Sequence, residues 1–579
     1  MPENTVADST DPGTRRPNAP PLEKAGVAFL PMKLPPFDPI ITLPDHVAPD
    51  VPIDLFTLYY TPEIIEGIVK HTNNHARAPK NPASKRSRCL DWSLTCSAEI
   101  YTYLAIRIYM TIHVENEISD YWCTKGMSPV HPISKKMARD RFQELHMRFR
   151  LEGLDAEGPY ERVSALSAHI QAVNLSVWTP GRDVAVDEMM IRYEGRAKEA
   201  TTIPGKPTPT GFKVWGVAQQ GFLLAWNWHR PGKDFGPVGV FTPRELGATK
   251  SGRGGNKTQA VVLSLLDRLP LPAEGFGYHV FLDNLFMSTK FALYARTRSF
   301  GVTGTCRTNA GVLKDLLALK KHDDEDVIPW GTVYCYTTTD GLVSQVGWKD
   351  QAFVIMMSTL FSGREAKTER LRKRPKETSS KAKTSRVPFK GQPEAWLYIP
   401  TIADCYNYGM GGVDEFDHLI AQNAGLRHVE RGGHQAIEHW ELRTVLSNCY
   451  VLASRSNVPL PRRPINFRSQ KDFRDQLILS LLSIGESHTS SKKRVSIIEP
   501  EAYTIDITSH KHVKLPKRGR CVACKGGRFN DRPKKRVALG EIAANKGRPS
   551  SNHQSFYGCD ICNIHLCKIG PCFDIFHEN

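Results

Sequence analysis

The feature that most constrains the fold of this chain is a change in hydrophobic period near residue 176. From residue 54 up to this point, three segments carry apolar residues every three to four positions, which predicts amphipathic helices. They read DLFTLYYTPEIIEGIVKHTNNHA, SAEIYTYLAIRIYMTIHVE and SKKMARDRFQELHMRF. Beyond it, apolar residues alternate or run continuously at 183–193, 212–219 and 221–229, which predicts strands, the last two joined by a tight turn near Gln220-Gly221. A helical domain at 51–176 is therefore followed by a sheet.

The segments after these strands alternate between helix and strand. A helix is predicted at 257–269, a strand at 278–282, a helix at 288–297 and a strand at 301–305. Three strands, helix, strand, helix, strand is the element order of a ribonuclease-H-like core. The predicted fold class is therefore α/β, with the first part of this core at 177–310. In such a core the first and fourth strands are neighbours, and a later helix packs across their ends.

The rest of the chain divides into further units, because a single hydrophobic core stops growing at roughly 250–300 residues and this chain has 579. A Pro-rich polar leader at 1–50 is assigned no fold. An inserted module with strand-like pieces and a basic arm is predicted at 311–402, and the final core helix at 403–455. A helical or linker segment at 456–510 leads to a small cysteine-rich domain at 511–579.

The formal net charge of +17 is confined to two segments. Residues 361–392 hold eleven Lys or Arg against three Asp or Glu, and residues 511–579 hold fourteen against five. Such arms suit DNA phosphates, although each could equally be a solvated loop and a nuclear-import signal. Both interpretations favour the nucleus. No apolar run approaches the roughly 18–20 residues needed to cross a bilayer, so no membrane partner is expected.

Four aspartates stand where the predicted elements would bring carboxylates together. Asp187 lies in the first core strand, within V-A-V-D-E, and Asp283 ends the fourth, within V-F-L-D-N. Asp414 and Asp417, in G-G-V-D-E-F-D, are three apart and share one face of a helix. Each could instead be a capping residue, since an aspartate after a strand or in the first turn of a helix is common.

Convergence of these positions would have a chemical consequence. Two Mg²⁺ ions about 3.5–4 Å apart need hard oxygen ligands from several carboxylates, and phosphate oxygens complete their coordination. One ion then activates water or a 3′-hydroxyl, and the other stabilises the leaving oxygen. These aspartates are accordingly candidate magnesium ligands.

The C-terminal tail has the pattern of a zinc site. Six of the thirteen cysteines follow residue 516, and two C-x-x-C pairs are followed by further Cys and His residues. Each pair can donate two thiolates to one tetrahedral ion, so eight ligands suffice for two Zn²⁺. His565 could equally be an exposed or packed histidine. The candidate ligands are Cys521, Cys524, Cys559, Cys562, His565, Cys567, Cys572 and His577.

Several multi-residue blocks, in order, resemble those of piggyBac transposases. They are VAVDEMMIRYEGR, PGKPTPTGFKVWGVA, HVFLDNLFMSTKFALYARTRSFGVTGTCRTN, the WKD at 348–350, and YNYGMGGVDEFD. The resemblance runs from about residue 54 to the C-terminus. It implies a catalytic triad of Asp187, Asp283 and Asp414, with Asp417 as an additional carboxylate at the same site.

The resemblance also implies a reaction and partners. The implied chemistry is metal-dependent nicking at a transposon end, hairpin formation by the freed 3′-hydroxyl, hairpin opening and insertion at a TTAA target. The expected partners are transposon-end and target DNA, with the protein acting as a homodimer. The alternative is a host-adopted, sequence-specific DNA-binding protein without mobility, and a chromatin adaptor is a third possibility. All four aspartates are present, which favours the enzyme.

Overall fold

The computed structural model describes most of the chain: residues 28–78, 92–126, 128–231, 236–237, 257–273, 275–422, 433–455, 467, 469–495, 511–520, 554–559 and 564–565. The chain divides into two compact units, Met1–Ser491 and Lys492–Asn579. Among the described helices, none combines the length and apolar character needed to span a bilayer.

Helices predominate in the N-terminal part of the first unit. They are α1 (Pro52–Thr57), α2 (Pro62–Arg77), α3 (Ser97–Ile112), α4 (Arg139–Arg148) and α5 (Ser164–Val177). The start of α2 is fixed by Thr61, whose side chain accepts a hydrogen bond from the amide of Ile64, and by Pro62 in the first turn. This cap divides the first predicted helical segment into two helices.

A ten-stranded mixed sheet forms the centre of the first unit. Its strands are β3 (Asp183–Arg192), β4 (Thr201–Thr202), β5 (Thr210–Gln219), β6 (Phe222–Arg230), β7 (Gly236–Pro237), β8 (His279–Leu282), β9 (Gly301–Thr305), β10 (Val333–Thr337), β11 (Ser344–Lys349) and β12 (Phe353–Ser358). Their order is β10-β11-β12-β9-β8-β3-β5-β6-β7, with β4 paired to β5. A separate small pair joins β1 (Ile40–Ile41) to β2 (Trp178–Thr179).

The predicted core strands are confirmed, and so is the neighbourhood of the first and fourth. β3 is antiparallel to β5 and parallel to β8, and β8 is parallel to β9. The tight turn between β5 and β6 is also confirmed: Gln220 and Gly221 have φ values of 52° and 80°. Two consecutive positive φ values are typical of the type I′ turns that join twisted hairpin strands.

Further helices and strands follow in the chain. They are α6 (Lys257–Leu266), α7 (Thr289–Thr297), α8 (Lys314–His322), α9 (Ala382–Ser385), α10 (Thr401–Gly409), α11 (Gly412–Ala421), α12 (Gly433–Arg455), α13 (Gln470–Val495), β13 (Thr368–Lys373) and β14 (Glu394–Ile399). The second unit contains β15 (His512–Arg520), β16 (Gln554–Cys559) and β17 (Ile564–His565), which form an antiparallel sheet.

Helix α11 lies against β3 and β5 at very close range. A β-carbon on Gly412 would meet the carbonyl oxygen of Ala218 at 2.9 Å and the β-carbon of Ala185 at 3.4 Å. Only glycine allows this approach at the start of the helix. A β-carbon on Gly409, at the end of α10, would likewise collide with the Phe281 ring. Since Phe281 pairs with Ala185, α10 and α11 cover the same face of the sheet.

Residues 311–402 divide between the central sheet and a separate hairpin. Strands β10, β11 and β12 extend the central sheet beyond β9, with Ser358 of β12 paired to Thr303. Strands β13 and β14 pair only with each other among the described residues. The inserted module at 311–402 stays a prediction, since three of its strands extend the central sheet and two form a separate pair. Local pattern shows that a strand exists but does not identify its distant partner.

A buried polar network connects the N-terminal helices to α12. Arg107 of α3 donates to both carboxylate oxygens of Glu438 at 2.6 Å, and these side chains are 2% and 5% exposed. Ser167 of α5 hydrogen-bonds to Glu441. Asn448 donates to the side-chain oxygen of Asn174 at 3.0 Å. The N-terminal helices and α12 consequently share one interior.

Removing one partner of the Arg107–Glu438 pair is expected to destabilise the fold strongly. Arg107→Met should cost about 3–5 kcal/mol, because Glu438 would remain buried without a counter-charge. The double variant Arg107→Met/Glu438→Met should recover most of this loss. Thermal and denaturant unfolding of the full chain measures both.

The exposed Lys136–Glu486 pair provides a matched control, since its side chains are 35% and 62% exposed. Lys136→Met should change stability by no more than about 1 kcal/mol. A double variant at 107 and 438 that is less stable than the single variant would contradict the buried-charge argument.

Candidate active site

Two of the candidate carboxylates lie side by side at the end of a parallel strand pair. The last residues paired between β3 and β8 are Val186 and Leu282, so the next residues, Asp187 and Asp283, are adjacent. Asp187 accepts a hydrogen bond from the amide of Glu188, and Asp283 accepts one from the amide of Leu285, each at 2.7 Å. Within the described residues, neither carboxylate forms a salt bridge. Two carboxyl groups are thus placed together, each held by a backbone amide.

The other two aspartates lie on α11, which covers the face of the sheet that carries Asp187. Side chains alternate along a strand, so Asp187 shares its face with Ala185, the residue that Gly412 approaches. Asp414 is in the first turn of α11 and is exposed, whereas Asp417, one turn later, is partly buried. The structure therefore places a pair of sheet aspartates and a pair of helix aspartates on one face.

Burial and mutual repulsion raise the pKa values of three of these carboxyl groups. Burial, followed by the charge of Asp283, raises the pKa of Asp187 to about 7. Burial also raises the pKa of Asp283. The pKa of Asp417 is raised to about 6, first by burial and then by the charge of Asp414. Such a site favours the approach of cations.

The ligand set suits magnesium that is shared with a substrate. In the described part of the chain, no group of three or more His, Cys, Asp or Glu side chains could hold a metal ion by itself. Mg²⁺ commonly takes only one or two carboxylates and completes its coordination with phosphate oxygens and water. The aspartates supply only hard oxygen atoms. They therefore fit an ion that is held jointly with a phosphate group.

A group of charged residues beside this site was not singled out by the sequence. Glu188 accepts Lys206 Nζ on one carboxylate oxygen at 3.1 Å and Lys213 Nζ on the other at 2.9 Å. Lys206 lies in the connection between β4 and β5. Its positive charge lowers the pKa values of Asp187, Asp283 and Asp417, which burial raises. No spacing in the sequence joins 188 to 206, so only the folded arrangement reveals this group.

The WKD block contributes to the fold rather than to the aspartate site. Lys349 is fully buried and donates to Asp323 at 2.7 Å. Asp350 accepts a hydrogen bond from the indole of Trp330 and pairs with Arg372 at 2.6 Å. These contacts fasten β11 to the residues after α8 and to the β13–β14 hairpin.

Part of the basic arm is neutralised inside the protein. Arg370 forms a bidentate pair with Asp404 of α10 at 2.7 and 2.8 Å, and Arg372 pairs with Asp350. Lys373, Lys376 and other exposed lysines of the arm remain directed to solvent. The arginines therefore hold the hairpin in place, which leaves the lysines for phosphate contacts.

The candidate zinc ligands fall mostly outside the described residues. This applies to Cys521, Cys524, Cys562, Cys567, Cys572 and His577. The backbone positions of Cys559 and His565 are described: they lie on adjacent antiparallel strands, where Cys559 pairs with Ile564 and His565 with Gly558. The zinc assignment stays a prediction.

Comparison with known proteins identifies the chain as a member of a transposase family. A family model described as Transposase IS4 matches residues 51–445, which is more than half of the chain. The human PiggyBac transposable element-derived protein 2 is 25% identical over 486 residues, covering 82% of this chain and 72% of the relative. The human PiggyBac transposable element-derived protein 3 is 25% identical over 494 residues, with the same coverage.

A solved structure shares the fold. It is described as a cryo-EM structure of the piggyBac transposase synaptic complex with hairpin DNA, and its TM-score is 0.55 at 19% identity. The match covers 90% of this chain and 97% of that chain. The chain belongs to the piggyBac-type transposase family. The mixed α/β fold, which is that of the solved transposase, is confirmed.

Asp187→Asn is expected to raise the thermal stability of the metal-free protein at pH 8. Because the pKa of Asp187 is held at about 7, the folded protein keeps a proton that the unfolded chain releases near pH 4. The stability contributed by this group is therefore full below about pH 4 and is lost as the pH rises to about 7. Asparagine cannot ionise, so the variant does not lose this stability as the pH rises. Melting temperatures from pH 4 to 8 measure it.

Asp183→Asn, on the same strand, should have the opposite effect. Burial opposes its ionisation, yet hydrogen bonds with His279 and Arg182 hold the pKa of Asp183 at about 2. Its stabilising contribution is present above about pH 4 and is lost as the pH falls towards 2. A lower melting temperature for Asp187→Asn than for the unmodified protein at pH 8 would contradict the repulsion argument.

Proposed function

We propose that this chain is a metal-dependent DNA transposase that nicks transposon ends, forms and opens a hairpin, and inserts the element at TTAA sites. The observation that carries the proposal is the pair Asp187 and Asp283, which are adjacent where the pairing of β3 with β8 ends. Both carboxyl groups have raised pKa values and lie on the sheet face that α11 covers. The family match and the shared fold support a DNA-processing enzyme.

The central strands support a ribonuclease-H-like core. Strands β6, β5, β3, β8 and β9 lie in this spatial order, with β3 antiparallel to β5 and parallel to β8. Asp187, Asp283 and Asp414 would hold two Mg²⁺ ions, and Asp417 would complete the negative site. Bound there, such ions activate an attacking oxygen and stabilise the leaving oxygen. The protein supplies the fixed spacing of the carboxylates.

The proposed partner is double-stranded DNA, both the transposon ends and the target, bound by a homodimer in the nucleus. Exposed lysines of the basic arm, Lys373, Lys376, Lys383 and Lys390, suit phosphate contacts because the neighbouring arginines already have carboxylate partners. A solved structure with the same fold is a synaptic complex with DNA, which supports the same kind of partner here.

The second candidate is a host-adopted DNA-binding protein derived from such a transposase. It is favoured by the human relatives, which are named as element-derived proteins. It gives no reason for two partly buried aspartates to be placed side by side. We therefore prefer the enzyme.

Asp187→Asn, Asp283→Asn and Asp414→Asn are each expected to abolish cleavage, while DNA affinity stays within a few-fold. The carboxylates would hold metal rather than the duplex, so their loss removes chemistry and spares binding. Asp417→Asn should impair cleavage less completely. Strand nicking with Mg²⁺, on DNA taken from the flanks of the reading frame, measures the first effect, and equilibrium binding measures the second.

Glu415→Gln is the matched control, since Glu415 is an exposed carboxylate on the same helix. It should keep its cleavage rate within about two-fold, because its charge lies outside the proposed ligand set. Substantial nicking by the Asp187, Asp283 or Asp414 variant would overturn the triad, and an unmodified protein that binds but never nicks would favour the host-adopted candidate.

We further propose that the second unit binds two Zn²⁺ ions through its cysteine and histidine residues. The C-x-x-C spacing supports the proposal, and the adjacency of β16 and β17 is compatible with it. Metal analysis of the full chain should give two equivalents of zinc. The double variant Cys521→Ser/Cys524→Ser should lose one equivalent. Cys123→Ser, in the first unit, should lose none; a native content of zero or one would refute the two-ion assignment.

A further inference from the structure

The three residues Glu188, Lys206 and Lys213 carry a net charge of +1 beside the aspartate site. Each oxygen of the Glu188 carboxylate is bound to a different lysine, at 3.1 Å for Lys206 and 2.9 Å for Lys213. One lysine neutralises the glutamate. The positive charge of the other lysine is not neutralised by the glutamate, and the charge of Lys206 acts on Asp187, Asp283 and Asp417.

Lys213 is the more enclosed of the two lysines. Its side chain is 11% exposed, it donates to Glu188, and its ammonium lies 3.9 Å from the centre of the Trp215 ring. Lys206 is 38% exposed. An ammonium group has three donors, and the salt bridge to Glu188 uses one, so Lys206 can bind a further acceptor from solvent or substrate.

The position of this group relative to the aspartates follows from the sheet. β8 ends at Leu282, opposite Val186, so among the described residues no strand pairs with β3 on that side from Asp187 onward. Asp187 and Glu188 point to opposite faces of β3, and both lie just past the end of this pairing. The charge of Lys206, which Glu188 holds, lowers the pKa of both Asp187 and Asp283, so its ammonium group lies near these carboxylates.

We propose that Lys206 contacts a non-bridging oxygen of the scissile phosphate, and that Glu188 and Lys213 position it for this contact. The inference rests on the proposed function and adds a catalytic residue to it. During hydrolysis, the oxygen of water bonds to phosphorus and loses a proton to solvent, while the bond from phosphorus to the 3′ oxygen breaks and that oxygen gains a proton. Lys206 stays protonated throughout and offsets the charge of the phosphate oxygens.

The protonation state of Lys206 is consistent with this role. Burial alone would lower its pKa, but the carboxylate of Glu188, followed by Asp187 and Asp283, raises it. A permanent cation needs no proton transfer in order to act. It also moderates the repulsion between the aspartates before a metal or substrate arrives.

The test uses full-length protein with Mg²⁺ and two duplexes made from the DNA that flanks the reading frame. One carries an ordinary scissile phosphate, and the other a methylphosphonate there, which replaces one charged non-bridging oxygen by a methyl group. On ordinary DNA, Lys206→Met should lower the single-turnover nicking rate by about 10²–10³-fold, with affinity within three-fold. Lys206→Arg should recover at least a tenth of the rate. On methylphosphonate DNA, Lys206→Met should cost less than three-fold.

The controls separate this contact from a structural role and from failure of the proposed function. Lys198→Met, an exposed lysine in the connection between β3 and β4, should nick both duplexes normally. Equal losses by Lys206→Met on both duplexes, or an unchanged rate, would refute the phosphate contact. If Asp187→Asn is inactive while Lys206→Met is fully active, only this inference fails. Nicking by Asp187→Asn at the unmodified rate would overturn the proposed function as well.

Discussion

The parallel pairing of β3 with β8 is the constraint on which the site depends. Parallel strands run in the same direction, so their carboxyl ends open at one edge of the sheet. The register that joins Val186 to Leu282 sets the distance between the next two side chains, and both are aspartates. Two partly buried carboxylates repel each other, and the hydrophobic strands beneath them must offset that cost. The folded sheet thus holds Asp187 and Asp283 together, whereas in an unfolded chain the two carboxylates would move apart.

Much of this arrangement could be predicted from the sequence, and the limits have physical causes. The apolar runs that precede Asp187 and Asp283 marked buried strands, and the spacing of Asp414 and Asp417 marked one helix face, because these patterns are local. The addition of β10, β11 and β12 to the central sheet depends on pairings between distant residues. The salt bridges of Glu188 with Lys206 and Lys213 are equally non-local. Similarly, Arg370 and Arg372 counted as free charge in the sequence, whereas the structure gives each a carboxylate partner.

Helix α12 links this chemistry to the rest of the first unit. Its Trp440 contacts the Phe416 ring of α11 edge-on, with ring centres 6.4 Å apart. The opposite connection is polar, through Glu438 to Arg107 of α3. Hydrophobic contacts tolerate small shifts of a helix, but a buried ion pair must keep its geometry, because separating the two charges leaves each without a partner. The N-terminal helices therefore help to fix the orientation and position of α12, and through its contact with Phe416 the position of α11.

The close approach of α11 to the sheet makes the site sensitive to substitution of Gly412. A single methyl group on Gly412 would press on the carbonyl of Ala218 and displace the start of the helix, although it would leave most of the interior intact. Displacements of about 1 Å can cost a hundred-fold in rate. If the proposed function holds, we expect substitutions at position 412 to lower the cleavage rate more than they lower the stability of the fold. Comparing cleavage and unfolding of Gly412→Ala with those of the unmodified protein would separate the two effects.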